Sequence, residues 1–263
     1  MNTTKKHLTL LLLGMIIVLP LVTTSCFKKG SEDPFISMYT RKARITGEWE
    51  IDSLKWEIRS DDEVDELLTI TEIAKTENTT KWFRTIQIIG TENIREFEGI
   101  VLPNRNKMFF YEDGRFTQTL EYEYYEDSTA GDDDDNVIVI TTKVQETMEG
   151  TWNFLNNIDD YKNKERLALV VENSKTKTFV YHLIQSEDEE EEEPVPSLVS
   201  GIASTQAYAN GEYSTIWTLR MLKNKQIIMD MDIESFQVQT RTNDLGDYSY
   251  TEVGYKTQTL TRE

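Results

Sequence analysis

The chain of 263 residues carries 47 acidic against 28 basic side chains, a net charge of −19. That balance makes nucleic acid and anionic lipid headgroups poor partners, because a phosphate backbone has to be met by clustered Lys and Arg. Five Trp, twelve Tyr and ten Phe supply a core, each buried ring removing roughly 150–250 Å² from water, so disorder throughout is excluded and the length suits one large domain or two small ones.

In chain order, the first element is an address. Lys5 and Lys6 precede a run from Leu8 to Val22 that is almost free of polar side chains, then Thr23, Thr24, Ser25 and Cys26. Positive start, short apolar stretch and small residues before a cut are the order of a secretory signal peptide, here residues 1–25. Fifteen residues reach only about 22 Å as a helix, short of the roughly 20 residues a membrane span needs. Small residues directly before the only cysteine resemble the lipobox of bacterial lipoproteins, which implies a lipidated Cys26 as the new N-terminus. Acyl chains anchor at about 0.8 kcal/mol per buried CH₂, and a lone cysteine leaves no disulfide within the mature chain. Phe27 in place of Asp resembles the sorting signal for the outer membrane, facing either the periplasm or the cell surface. Removing the leader takes away two lysines and no acids, so the mature chain carries a net charge of −21.

Residues 26–44 read as the lipidated cysteine and its tether, and 45–263 as a single β-rich domain. The dominant pattern there is period-two alternation bounded by Gly, Asn and Asp, the mark of half-buried antiparallel strands. Residues 61–77 could form a helix capped by Asp61 and Asp62, but Leu68 and Ile70 alternate with Thr69 and Thr71, which predicts a strand. Residues 108–111 meet 115–125 across Glu112-Asp113-Gly114, where Asp-Gly suits a tight turn; on the second of these strands Phe116, Gln118, Leu120, Tyr122 and Tyr124 share one face. An acidic loop follows at 127–136, then strands at 137–144 and 150–155. Residues 167–172 and 178–184 read as a hairpin turning at Asn173-Ser174-Lys175. A second acidic loop spans 187–197, and further hairpins turn at Lys223-Asn224-Lys225 and near Asn243–Asp247. The fold class this predicts is all-β, an antiparallel up-and-down meander forming a barrel or half-barrel, with a β-sandwich as runner-up.

The runs Asp132–Asp135 and Glu187–Glu193 repel themselves and read as solvated loops. Neither fits an EF-hand, whose ligands alternate and end in Glu at the twelfth place: from Asp132 that place holds Lys143, and from Asp135 the third and fifth hold Val137 and Val139. No metal and no cofactor is expected.

Two motifs carry a resemblance. Gly47-Glu48-Trp49 on the first strand looks like the opening Gly-x-Trp of lipocalin-like barrels. With Asp33-Pro34-Phe35-Ile36-Ser37, residues 110–116, Gly150-Thr151-Trp152 and Leu222-Lys223-Asn224-Lys225, it resembles an uncharacterised family of lipocalin-like lipoproteins of the Bacteroidota. The resemblance implies a barrel whose Trp closes one end, and an Arg from a late strand stacked upon it as a cation–π pair; Arg262 and Arg220 are the candidates. Gly47, Trp49, Gly150, Trp152 and Arg262 are therefore expected as structural anchors and not as ligand contacts.

Catalytic signatures are missing. His182 is the only histidine of the mature chain, no thiol is left once Cys26 is acylated, and there is no Gly-x-Ser-x-Gly elbow, Gly-rich phosphate loop or His-Glu-x-x-His. The chain reads as no enzyme and as having no catalytic residue. The function expected is that of a lipid-anchored structural or accessory binding subunit, partnered by another envelope protein. The alternative is a carrier holding a small apolar ligand in the barrel.

Overall fold

The computed structural model describes residues 40–61, 66–129, 137–155, 165–185, 196–209, 211–233, 239–243 and 246–262. Cys26, most of the tether, both acidic runs and any cation site in them lie outside these residues.

Among the described residues one short helix, α1 (Arg41–Ile45), precedes twelve strands. It starts where Thr40 Oγ1 accepts the Ala43 N–H at 3.1 Å, a side-chain oxygen satisfying one of the free donors of a first turn. Arg41, Arg44 and Ile45 of α1 are buried, so the folded body begins before Ile45, inside what composition reads as tether. The strands are β1 (Gly47–Asp61), β2 (Glu66–Lys75), β3 (Thr80–Ile88), β4 (Ile94–Phe110), β5 (Arg115–Thr129), β6 (Val137–Phe154), β7 (Arg166–Gln185), β8 (Ser197–Ala207), β9 (Tyr213–Leu222), β10 (Gln226–Ile233), β11 (Gln239–Asn243) and β12 (Gly246–Thr261).

All pairings are antiparallel, and neighbours in sequence are mostly neighbours in the sheet. The sheet closes on itself because β1 pairs with β12. At one end, the base, the ring has eight strands: residues 47–50 of β1 lie beside 107–110 of β4, and the circuit runs on through β5, β6, β7, β9, β10 and β12. Above the base the wall widens. From Ser53 onward β1 turns from β4 to β2, and the β2–β3 hairpin fills the gap between them. The separation is held by the Asn106 amide, which donates to the Ile51 carbonyl, and by an irregularity in β4 between Val101 and Asn106 that contains Asn104 at φ 58°. On the far side, residues 166–171 of β7 pair with β9, while 173–182 pair with β8.

This closed ring is the all-β meander that the alternation predicts, in its barrel form and not as a sandwich. Phe116, Gln118, Leu120 and Tyr122 point inward and are buried, the β4–β5 turn carries Gly114 at φ 92°, and residues 66–75 are strand. Further boundaries differ from the sequence reading: β5 continues to Thr129, so residues 127–129 of the expected acidic loop are paired strand. The strands expected at 137–144 and 150–155 are one long strand, β6, which ends at Phe154. Asn173-Ser174-Lys175 makes no turn: it is extended within β7 and pairs with Thr147–Glu149 on β6. The polar stretch there marks a bulge, since Glu149 faces Asn173 while Gly150 faces Val171, and it is where β7 exchanges β9 for β8. A bulge and a turn share the same polar composition; only the partner strand separates them.

The core fills the base. Trp49, Ile51, Met108, Phe110, Leu219, Leu222, Ile227, Met229 and Leu260 are all essentially without solvent contact.

Candidate functional site

The motif residues meet at the base. Trp49 is fully buried, and its indole N–H donates to the Ile45 carbonyl at 2.7 Å, tying α1 across the barrel end. The Arg262 guanidinium lies 4.3 Å from the Trp49 ring centroid. Its Nη1 donates to the Thr46 carbonyl at 2.8 Å and its Nε to the Asn224 carbonyl, so one cation bridges the start of β1 and the β9–β10 turn. Gly47 has φ +117°, and a Cβ there would lie 3.0 Å from Arg262 Nη1. Arg220 is elsewhere, paired with Asp230 at 2.8 Å. The second motif abuts the first: Trp152 donates to the Tyr111 carbonyl at 3.1 Å and meets Phe110 edge-on at 5.7 Å. A Cβ on Gly150 would sit 2.0 Å from the Val170 carbonyl oxygen, so β6 and β7 can approach at this bulge only without a side chain. His182 lies on β7 opposite Ile140 of β6 and Ser197 of β8.

None of these residues lines the space above the base. There the barrel holds a half-open cavity of about 680 Å³, lined by β1, β2, β3, β5, β6, β7, β8, β9 and β12 together with Tyr208. Its apolar lining includes Leu54, Trp56, Trp82, Leu120 and Met148. Trp82 is stacked on Tyr122 at 4.5 Å and on Tyr124 at 5.2 Å, which fixes a flat aromatic panel on the β3–β5 side.

Polar groups enter the same space at inward positions. Arg84 lies 5.5 Å from the Trp82 centroid, and its Nε donates to Thr71 Oγ1 at 3.3 Å. Tyr122 donates its hydroxyl to Glu146 Oε1 at 3.3 Å; burial first, and the Glu146 charge second, hold this phenol well above its ordinary range. Desolvation raises the Glu146 carboxyl, against the pull of Arg84, Lys256 and Tyr122. Lys256 on β12 sets its Nζ 4.7 Å from the Trp56 centroid and 5.6 Å from that of Trp217. Burial lowers its ammonium to about 8, with Glu146 opposing. What accessibility Lys256 and Glu146 keep is consistent with facing the cavity they line. Such a constellation can hold a molecule with an apolar body and a charged end.

A second hollow of about 710 Å³ lies between the β2–β3 turn and residues 100–107 of β4, and Arg262 is on its rim. It offers less: Lys75 is paired with Glu50 at 3.1 Å, and Lys107 with Glu48. Among the described residues no group of three His, Cys, Asp or Glu converges as a metal site would.

The sequence reading missed Arg84, Glu146 and Lys256. A signal existed in Gln118, a polar residue on the apolar face of β5, which is buried and lines the cavity. Glu146, two places after Val144 and four after Thr142 on the inward face of β6, is the same kind of interruption. Comparison with protein-family models, with curated proteins and with solved structures finds no match.

Proposed function

We propose that this chain is a lipoprotein held at the outer membrane by lipid on Cys26, and that its barrel carries a small amphipathic molecule. The observation that supports this is the interior cavity: about 680 Å³ lies within the roughly 300–1,000 Å³ typical of ligand sites, and its lining combines apolar and aromatic surface with a few convergent polar groups. Eight-stranded barrels either fill their interior with side chains or leave room for one small ligand. Here the base is filled and the widened part above it is not. The lipocalin-like arrangement of Gly47, Trp49 and Arg262 supports the same reading. The role is one of binding and not of catalysis.

The test is to purify the anchored protein from its own membranes, denature it, and identify extracted small molecules by mass spectrometry. A single compound at close to one per chain is the expected result. An empty preparation, combined with no change in Tm across a panel of apolar and amphipathic compounds, refutes the reading, because any ligand bound to the native state alone must raise Tm.

A second reading, an accessory subunit docked on another envelope protein, draws support from β8. All eleven of its residues are exposed, Leu198, Val199 and Ile202 among them at 55–68%, and among the described strands it pairs with β7 alone. An open edge of this kind can accept a further strand. Crosslinking from position 202 in intact cells tests it, and the absence of any crosslinked envelope protein argues against it.

A further inference from the structure

Resting on the carrier reading, we infer that Lys256 and Arg84 receive the carboxylate of a monoanionic amphiphile whose apolar body lies along Trp56, Trp82 and Leu120. The first support is a reversal of charge. The chain as a whole is strongly acidic, at −19, yet the cavity lining contains one carboxylate, Glu146, against three cations, Arg84, Lys175 and Lys256. Lys175 is exposed, which leaves two cations and one acid inside. Glu146 interacts with both Arg84 and Lys256, so the interior triad carries one surplus positive charge, the complement of a monoanion.

The second support is how Lys256 is held. Among the described residues no carboxylate comes within 4.0 Å of its Nζ, and its near neighbours are the faces of Trp56 and Trp217. Lys256 is half-buried, and a cation–π contact leaves its ammonium hydrogens free to donate to whatever occupies the cavity. The Trp56 indole N–H beside it is buried with no acceptor among the described residues. Two donors on one wall, at the register pair Trp56 and Lys256 of β1 and β12, thus stand without an oxygen.

The third is the state of the amine. With burial holding it to about 8, Lys256 is mostly charged at pH 7, and an anion beside it raises that value, so binding takes up protons in the alkaline range. The charged or titratable groups that line the cavity with it are Glu146 from β6, Arg84 from β3, Tyr122 from β5, the exposed Lys175 from β7, Tyr213 from β9, and Tyr208. From β1, β9 and β10 come Trp56, Trp217 and Met231, none of which titrates.

The experiment uses the full anchored chain in phosphatidylcholine nanodiscs, with empty discs as blank, and reads tryptophan fluorescence on titration with decanoate, decanol or decyltrimethylammonium. These probes share a tail and differ in head. Decanoate should bind tightest. Lys256→Met, and separately Arg84→Met, should weaken decanoate about tenfold or more while leaving decanol within about twofold, the scale of losing one charge-assisted hydrogen bond. Decanoate binding should also weaken between pH 7 and 9.5 in the unaltered chain and not in Lys256→Met. Decanol binding as tightly as decanoate, or decyltrimethylammonium binding tighter than either, overturns the anion end while the carrier reading stands. If none of the three binds, both fall. The comparison of heads needs no variant, so it decides even where a substitution harms folding.

Discussion

Removing Trp49 should unfold the whole barrel more easily, and the size of the effect follows from what the ring touches. The side chain is fully buried at the base, where Trp→Ala typically costs roughly 3–5 kcal/mol. Within that total, the N–H bond to the Ile45 carbonyl is worth about 1 kcal/mol and leaves an unpaired carbonyl when lost. The Arg262 stack contributes about 0.5–2 kcal/mol. Three variants separate these parts: Trp49→Ala, Arg262→Met and the double substitution. Their coupling should be positive and about 0.5–2 kcal/mol, with Trp49→Ala lowering Tm by roughly 6–20 °C at about 2–4 °C per kcal/mol for a chain of this size. The assay is urea and thermal unfolding by far-ultraviolet circular dichroism, which does not depend on the deleted fluorophore. Because β1 closes the ring onto both β4 and β12, loss at one point should loosen all of it in one cooperative transition. A cost under about 1 kcal/mol, or two transitions of which Trp49→Ala moves only one, would refute the base-plug argument.

Gly150→Ala should destabilise by at least 1–3 kcal/mol, roughly the cost of overpacking, because its methyl would collide with the Val170 carbonyl; an unchanged Tm would show that β6 and β7 do not approach as described. Lys256→Met should be at least as stable as the unaltered chain at pH 7. Its advantage, up to about 3 kcal/mol from the lowered amine, should shrink between pH 8 and 10.5, since there the unfolded chain binds a proton that the folded one does not. Glu146, raised by desolvation, acts with the other sign, its penalty growing as pH rises above its ordinary 4.5 and it ionises. A gap that widens at alkaline pH in a Tm-against-pH series would contradict the assignment. Cys26→Ala should leave a protein that incorporates no labelled palmitate and is released in soluble form. Retention after an alkaline wash would rule out the lipid anchor.

Much of the wall is legible residue by residue because a strand in a closed sheet has one inward and one outward face, and Phe116, Leu120 and Tyr122 declare theirs by spacing alone. Turns were legible where a glycine enforces them, as Gly114 does. They were misread at Asn173-Ser174-Lys175, where the same polar composition serves a bulge. The candidate site was the least legible part. An inward Gln118, Glu146 or Lys256 looks like an error in an apolar pattern until the opposite wall is seen, and no local rule places β3, β6 and β12 around one space.

The sequence by itself therefore determined the β class, the strand faces, the hairpins at Gly114, at Asn224 and near Asn243, and the two Gly-x-Trp points, because these depend on period-two alternation and on backbone conformations that only nearby residues set. Closure of the ring by β1 and β12, the exchange of partners along β1 and β7, and the gathering of Arg84, Glu146 and Lys256 around an unfilled interior were decided only in three dimensions. Those features depend on contacts between residues two hundred positions apart or more, as between Trp56 and Lys256, and alternation along one strand carries no information about which distant strand completes its hydrogen bonds.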